Sequence, residues 1–488
     1  MCDHVAHTSV THDRDISRRQ LIEGGAAGLV AASLAAAVVR PARAQQAPRS
    51  DRVLLKGATV LTMDRALGDF AQADVLIDGA RIGAVGPNLQ ATGADVIDAG
   101  NMIVLPGFID THRHMWEGQI RNVLPDIMLQ EYLRTILGKY GTAYRPEDAY
   151  IGDLVSALSA LDAGVTTLLD WSHIQTTPEH TDAVIKALRD SGARAVFGYG
   201  MPQTGKPWWA DTSRHKYPGD IARLRKQYFN SDDQLLTLAL AASGGFGNVE
   251  IAAKEWGAAR DVGARVTIHL SGKDAITKLA SGVKLGSDTT YVHCGGWNDT
   301  EWKMVADSGG TVSFSPGTEM VMGIINPPIQ QALDAGIRPS LSADAETNAP
   351  NDMFTEMRLA LASQNAMLMV RRDRGEQNLP KRLTVRDALE FATIEGAKAN
   401  GLAAKVGSLT PGKQADVICL RKDRINVMPV NDPVGAVVLG MDTSNVDTVF
   451  VAGKAKKRNG ELLGVDLKRI AAEAIASRDY LAAKVRAG

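Results

Sequence analysis

The chain has 488 residues, a formal net charge of −1, and 45% hydrophobic and 22% charged residues. These are the proportions of a globular protein long enough for more than one domain. The balanced charge argues against a nucleic-acid binder, which would usually show a basic patch or an elevated pI.

Residues 1–44 read as a targeting segment. Ser17-Arg18-Arg19-Gln20-Leu21-Ile22 is a twin-arginine pattern, followed by a Gly/Ala-rich run from Gly24 to Val39. Arg40-Pro41 breaks that run, and Ala42-Arg43-Ala44 supplies small residues for a signal peptidase. The run falls short of the ~18–20 apolar residues of a membrane span. The expectation is cleavage after Ala44 and twin-arginine export of a folded protein to the periplasm or the exterior, with no stable span left behind. Of the three cysteines, Cys2 leaves with this segment, while Cys294 and Cys419 fall in separate predicted strands, so no disulfide framework is visible.

In 45–105, short β-branched runs such as Val53–Leu61 and Ala73–Gly79 alternate with turns, and the same texture returns in 405–465 at Ala415–Leu420 and Val446–Gly453. Both ends of the chain are therefore predicted to build one small β-sandwich. Between them, residues 106–404 alternate strand-like and helical runs. The strand-like runs are Val165–Asp170, Ala193–Tyr199, Leu236–Ala241, Arg265–His269, Thr290–Cys294, Thr311–Ser315 and Arg338–Asp344. With the apolar run Met102–Leu105 leading to His112 they make eight, which predicts an α/β fold, a TIM (β/α)8 barrel. Residues 466–488 read as an exposed C-terminal helix.

Chemistry in such a barrel sits at the C-terminal ends of the strands, where His112, His114, His269, His293 and Asp344 all fall. His112 and His114 in Thr111-His112-Arg113-His114 share one face of a strand, since side chains i and i+2 point the same way. Two imidazoles so placed can grip one metal ion.

The order His-x-His, His, His, Asp, the lead-in Pro106–His112, the segment Ser315-Pro316 to Pro327-Pro328-Ile329, Leu341–Asp344 with Asn351-Asp352-Met353, and the exit Gly407–Asp416 together resemble the amidohydrolase superfamily. More narrowly, the chain is similar to the branch of cytosine deaminase, S-adenosylhomocysteine deaminase and the triazine hydrolases. The resemblance implies His112, His114, His269 and Asp344 as ligands of one divalent ion, zinc or iron, with His293 beside it. Three imidazoles and a carboxylate suit such an ion and leave room for a water whose pKa falls towards ~7, with Asp344 accepting its proton. Binuclear relatives add a lysine on the fourth strand; Leu236–Ser243 has none, so one metal is expected.

The chain departs from that branch after His269. Deaminases of the branch continue His-x-x-Glu, and here the residues are His269-Leu270-Ser271-Gly272. Glycine transfers no proton. The substitutes open to the sequence are Asp344 alone, Glu346 leaning into the site, or His173, which is expected to bind substrate and donate a proton. Ser271 could hold a water or a substrate group. Five of the seven tryptophans, Trp116, Trp171, Trp208, Trp209 and Trp297, follow predicted strand ends, and Trp256 and Trp302 do not. Trp116, Trp171 and Trp297 are expected, with His173 and Glu346, to line an aromatic substrate pocket.

The sequence thus reads as an exported, mononuclear metal-dependent hydrolase that cleaves a C–N bond of a small amide or aminoheterocycle, with His293, Asp344 and His173 catalytic. Ester, lactone or halide hydrolysis, or a hydration or lyase step on the same metal, is the alternative that Gly272 keeps open; a periplasmic binding protein without turnover is the second. A small molecule is the expected partner, and a homo-oligomer is compatible with the chain.

Overall fold

The computed structural model of the chain describes residues 51–203, 217–349 and 351–487. The twin-arginine segment, its cleavage site, Trp208 and Trp209 lie outside the described residues. No helix among the described residues is long and apolar enough to cross a membrane.

The two chain ends interleave in one nine-stranded mixed sheet. Its N-terminal strands are β1 (Arg52–Val60), β2 (Phe70–Asp78), β3 (Arg81–Gly86), β4 (Asp95–Asp98) and β5 (Met102–Pro106). A second sheet follows: β6 (Phe108–Arg113), β7 (Val165–Ser172), β8 (Arg194–Tyr199), β9 (Leu236–Ala242), β10 (Arg265–His269), β11 (Thr289–Val292), β12 (Thr311–Phe314) and β13 (Ser340–Leu341). The chain then returns to the first sheet with β14 (Val417–Arg421), β15 (Val446–Val451), β16 (Lys454–Arg458) and β17 (Glu461–Leu462). The join is β14 against β5, with Ile418 opposite Leu105. Leu55, Val75, Ile77, Val104, Val417 and Phe450 form this sheet's own apolar core.

The second sheet has eight parallel strands in sequential order, β6 to β13, the TIM-barrel arrangement. It closes through backbone bonds from Asp344 N–H to His112 O (2.9 Å) and from His114 N–H to Asp344 O (3.0 Å). First and last strands are thus stitched together at the ligand residues.

The structure corrects two expectations. Met102–Leu105 is not the first barrel strand: it is β5 of the other sheet, and the barrel begins at β6. An apolar run buried on both faces reads the same in either sheet. Gly107 makes the hand-over, because a Cβ there would lie 2.1 Å from Thr166 Oγ1. The C-terminal helix, Leu467–Ala487, is docked rather than exposed. Ile470, Ser477 and Leu481 are buried, Ser477 Oγ donates to Asp148 Oδ1 at 2.7 Å, and the Arg145 guanidinium stands 3.7 Å over the Tyr480 ring. A single stripe of three residues along a polar helix is too narrow to read as an apolar face.

Candidate metal centre and active site

The strand ends bring His112, His114, His269, His293 and Asp344 to one point. His112 closes β6 with Arg113, His269 ends β10, His293 follows β11, and Asp344 follows β13. His293 (φ 69°) and Asp344 (φ 64°) stand in the left-handed region, which non-glycine residues seldom occupy and which concentrates at functional sites. Arg113 points away from its two neighbours, as strand alternation requires. It is fully buried and bonds Asp110 Oδ2 at 3.1 Å.

His112 Nε2 lies 3.1 Å from Asp344 Oδ1 and 3.0 Å from His269 Nε2. His114 Nδ1 lies 3.0 Å from the carbonyl oxygen of Trp171. That oxygen can only accept, so Nδ1 carries a hydrogen, and in the neutral ring that would bind a metal Nε2 holds the lone pair. The lone pair faces Asp344 Oδ1 at 3.2 Å. Three imidazole nitrogens and a carboxylate oxygen at such distances repel one another unless a cation stands among them. One proton cannot serve all of them, whereas a divalent ion can. The residues present fit a metal. His293 completes the ring of donors: its ligand atom and those of His112, His269 and Asp344 lie within 4.8 Å of one another, and its Nε2 is 3.7 Å from Asp344 Oδ2.

The next layer sets the hydrogens. His293 Nδ1 donates to Glu319 Oε1 at 2.9 Å, so Nε2 faces the site. Burial works to lower the His293 pKa, but Glu319 and Asp344 outweigh it and the pKa stands above 6.5. Burial raises the Glu319 carboxyl, against the pull of His293. His173 Nδ1 accepts from Trp116 Nε1 at 3.1 Å, which places the hydrogen of the neutral ring on Nε2, and its ring lies 4.3 Å from that of His114. Burial first, and His114 and His112 next, hold its pKa well below 6.5. His173 is therefore held as a neutral imidazole. Glu117 accepts from Tyr132 Oη and from the Glu346 N–H at 3.0 Å, and burial pushes it up to about 7, against His114.

A cavity of about 380 Å³ opens above these groups, bordered by His114, His173, His269, His293 and Asp344. Its wall is apolar: Leu129, Leu133, Leu137, Met201, Met322 and Ile324, with Tyr132 and Trp171. Of the expected pocket residues, Trp171 and His173 border it. Trp116 stands behind His173. Trp297 does not reach the cavity, since it packs against Tyr291 (5.6 Å) and Trp302 (4.8 Å) on the outer side of β11. Glu346 does not reach it either, and it is not in solvent: it is fully buried, 2.5 Å from Arg121 Nε and 3.6 Å from Arg113 Nη1. These two cations outweigh burial and lower its pKa. Gly272 has φ +110°, with no heavy atom within 4 Å of where a Cβ would be. Ser271 borders the cavity while its Oγ accepts from Gly295 N at 3.1 Å.

Glu319, Trp116 as a hydrogen-bond donor and Glu117 were not legible as site residues. The available signal was slight: an acidic residue in the first turn of two short helical segments that follow barrel strands, Glu117 three positions past His114 and Glu319 in Pro316–Val321.

A profile of the Amidohydrolase family matches residues 103–456. The chain belongs to this family. It is 29% identical over 420 residues to a 5-methylthioadenosine/S-adenosylhomocysteine deaminase of Pyrococcus furiosus, covering 82% of this chain and 94% of that protein. It is 26% identical over 447 residues to a 5'-deoxyadenosine deaminase of Methanosarcina mazei, covering 89% and 99%. Among solved structures, a zinc-bound adenosine deaminase from Xanthomonas campestris superposes with a TM-score of 0.76 at 19% identity, over 90% of this chain and 100% of that one. A zinc complex of atrazine chlorohydrolase from Arthrobacter aurescens TC1 gives 0.73 at 23%, over 87% and 100%. At these identities the structures speak for the fold, which is that of amidohydrolases.

Proposed function

We propose that this amidohydrolase removes an amino group from a small aminoheterocycle, releasing ammonia. The observation that carries the reading is the convergence of His112, His269, His293 and Asp344, whose ligand atoms lie within 4.8 Å of one another beside an apolar cavity, a donor set that suits a divalent ion where a ring would be attacked. The deaminase relatives support the choice of a C–N bond. His112, His114, His269 and Asp344 would hold the ion, zinc by analogy with a zinc-bound neighbour. A divalent ion held there supplies Lewis acidity and a hydroxide nucleophile at neutral pH.

The chain's own residues supply the rest. Asp344 takes the proton of the attacking water through Oδ2. His293, 3.7 Å from Asp344, gives its imidazolium proton to the departing nitrogen and takes up the proton of Asp344 in return, with Glu319 steadying the imidazolium much as a carboxylate steadies the histidine of a hydrolytic triad. His173 offers its Nε2–H to an acceptor on the ring, and the apolar wall keeps water out. One water is consumed and one ammonia leaves. The His293–Glu319 pair thus does the work for which the sequence at Gly272 has no acid. The twin-arginine pattern supports export of the folded, metal-loaded enzyme to the periplasm.

Metal analysis of the purified protein should give about one ion per chain, lost in His112→Ala, together with ammonia release from aminopurines or smaller aminoheterocycles. A metal-free protein with full activity, or turnover of esters, lactones or halides with no ammonia from any amine, overturns the reading.

A further inference from the structure

The cavity above the metal centre does not end at His269. A second chamber of about 450 Å³ opens beside β9 and β10, and the two spaces share Ser243, Phe246, His269 and Ser271. The backbone around it is built to leave it open. Gly272 stands between Ser271 and Lys273 with its Cβ direction in open space. On the facing side, Gly244 to Gly247 take φ values of 63°, 60°, 50° and 85°, four left-handed residues in succession. Three are glycines, but Phe246 is a bulky residue in a conformation it rarely adopts. It is 64% exposed and borders both spaces. Strain of this kind gathers at binding sites.

The two spaces differ in chemistry. The main cavity is walled by leucine, methionine and isoleucine. The side chamber carries Lys273 and Lys278, and neither is paired with a carboxylate among the described residues. Lys278 Nζ lies against Gly247, 3.3 Å from where a Cβ would be, so the glycine turn makes room for the ammonium group. The chamber wall has one carboxylate, Asp274, and its Oδ1 is turned towards Asn298 Nδ2 at 3.5 Å. Two ammonium groups face one carboxylate already engaged elsewhere, so the chamber is positive.

We propose that this chamber receives an anionic arm of the substrate, a carboxylate or a phosphate, while the heterocycle lies in the apolar cavity with its amino carbon at the metal centre. Lys273 and Lys278 are then specificity residues, and Phe246 divides the ring's space from the arm's. The proposal rests on the deaminase reading for the identity of the ring. In a partly enclosed space two ammonium groups act on one anion more strongly than either does on an open surface.

The test uses the metal-loaded enzyme and adenines substituted at N9 with uncharged butyl, carboxyalkyl or phosphonoalkyl arms of increasing length, followed by titration calorimetry and by ammonia release. The anionic compounds should bind at least about tenfold more tightly than 9-butyladenine at one arm length, and the better head group tells carboxylate from phosphate. Lys273→Gln/Lys278→Gln should erase that preference and leave 9-butyladenine binding and metal content unchanged. Equal affinity for charged and uncharged arms at every length, equal losses for both in the double variant, or no binding of any compound overturns the proposal. Charge-selective binding without ammonia would sink the deaminase reading and leave the chamber standing; ammonia from all arms without preference would do the reverse.

Discussion

Trp116 donates its indole N–H to Nδ1 of His173 across 3.1 Å, so this buried imidazole shows the cavity a single N–H and no lone pair. Trp116→Phe keeps an aromatic ring and removes the donor, which frees His173 to exchange tautomers. A neutral hydrogen bond of this kind contributes about 1 kcal/mol, so kcat/KM should fall roughly five- to tenfold. Nitrogen NMR should find the Nε2–H form of His173 in the parent and a mixture in the variant. Unchanged kinetics with an unchanged tautomer would show that Trp116 only packs.

Glu319 acts on the reaction through His293, and the sign of its effect can be worked out. Burial pulls the His293 pKa down, and Glu319 with Asp344 holds it above 6.5. Glu319→Gln removes one of the two anions, so the pKa falls and less imidazolium is present at neutral pH. If His293 protonates the leaving nitrogen, the alkaline limb of kcat moves to lower pH, so the loss is largest, roughly tenfold, at pH 8 and shrinks towards pH 6. A loss of the same size at every pH would contradict proton transfer by His293.

Much of the centre was legible because barrel strands end in the site: His112, His114, His269, His293 and Asp344 all fall at strand ends, and the resemblance to amidohydrolases singled out the ligands among them. Glu346 was misread for a physical reason. Two positions past Asp344 in a strand it would face the same way, but β13 is only Ser340–Leu341, and Asp344 at φ 64° breaks the alternation and turns Glu346 to Arg113 and Arg121. Trp297 was misread because a tryptophan after a strand end looks alike whether its ring faces the cavity or the helices outside. Glu319 comes to His293 from a helix 26 residues on, and that meeting depends on how β12 is capped, which spacing does not encode.

Glu346 provides a stability test. It is fully buried with Arg113, which has no exposure of its own, and Ser156 donates to it. Glu346→Ala leaves buried guanidinium charge with Asp110 alone to balance it, a defect that costs about 3–5 kcal/mol. The melting temperature should drop by several degrees, and the folded fraction should keep its KM. A raised KM at an unchanged melting temperature would return Glu346 to the substrate site.

Asp153 and Asp170 make the last prediction. Both are fully buried, and Ser172 and the Met115 N–H, the donors near Asp170, do not offset that burial. Burial raises both carboxyls, Asp170 to about 7 and Asp153 in the same direction with Asp170's charge adding to it. Two carboxyls in this setting share a proton. An unfolded aspartic acid loses its proton near 3.9, so between about pH 4 and 7 the native state holds a proton that the unfolded chain has released. The stabilisation is complete below that window and is lost as pH rises through 7. Asp153→Asn imitates the protonated form at every pH. It should therefore raise the melting temperature at pH 8 relative to the parent, and the difference should shrink steadily as the pH falls towards 4. A variant that melts lower than the parent at pH 8 would show that the pair is held charged, by a cation rather than by a proton.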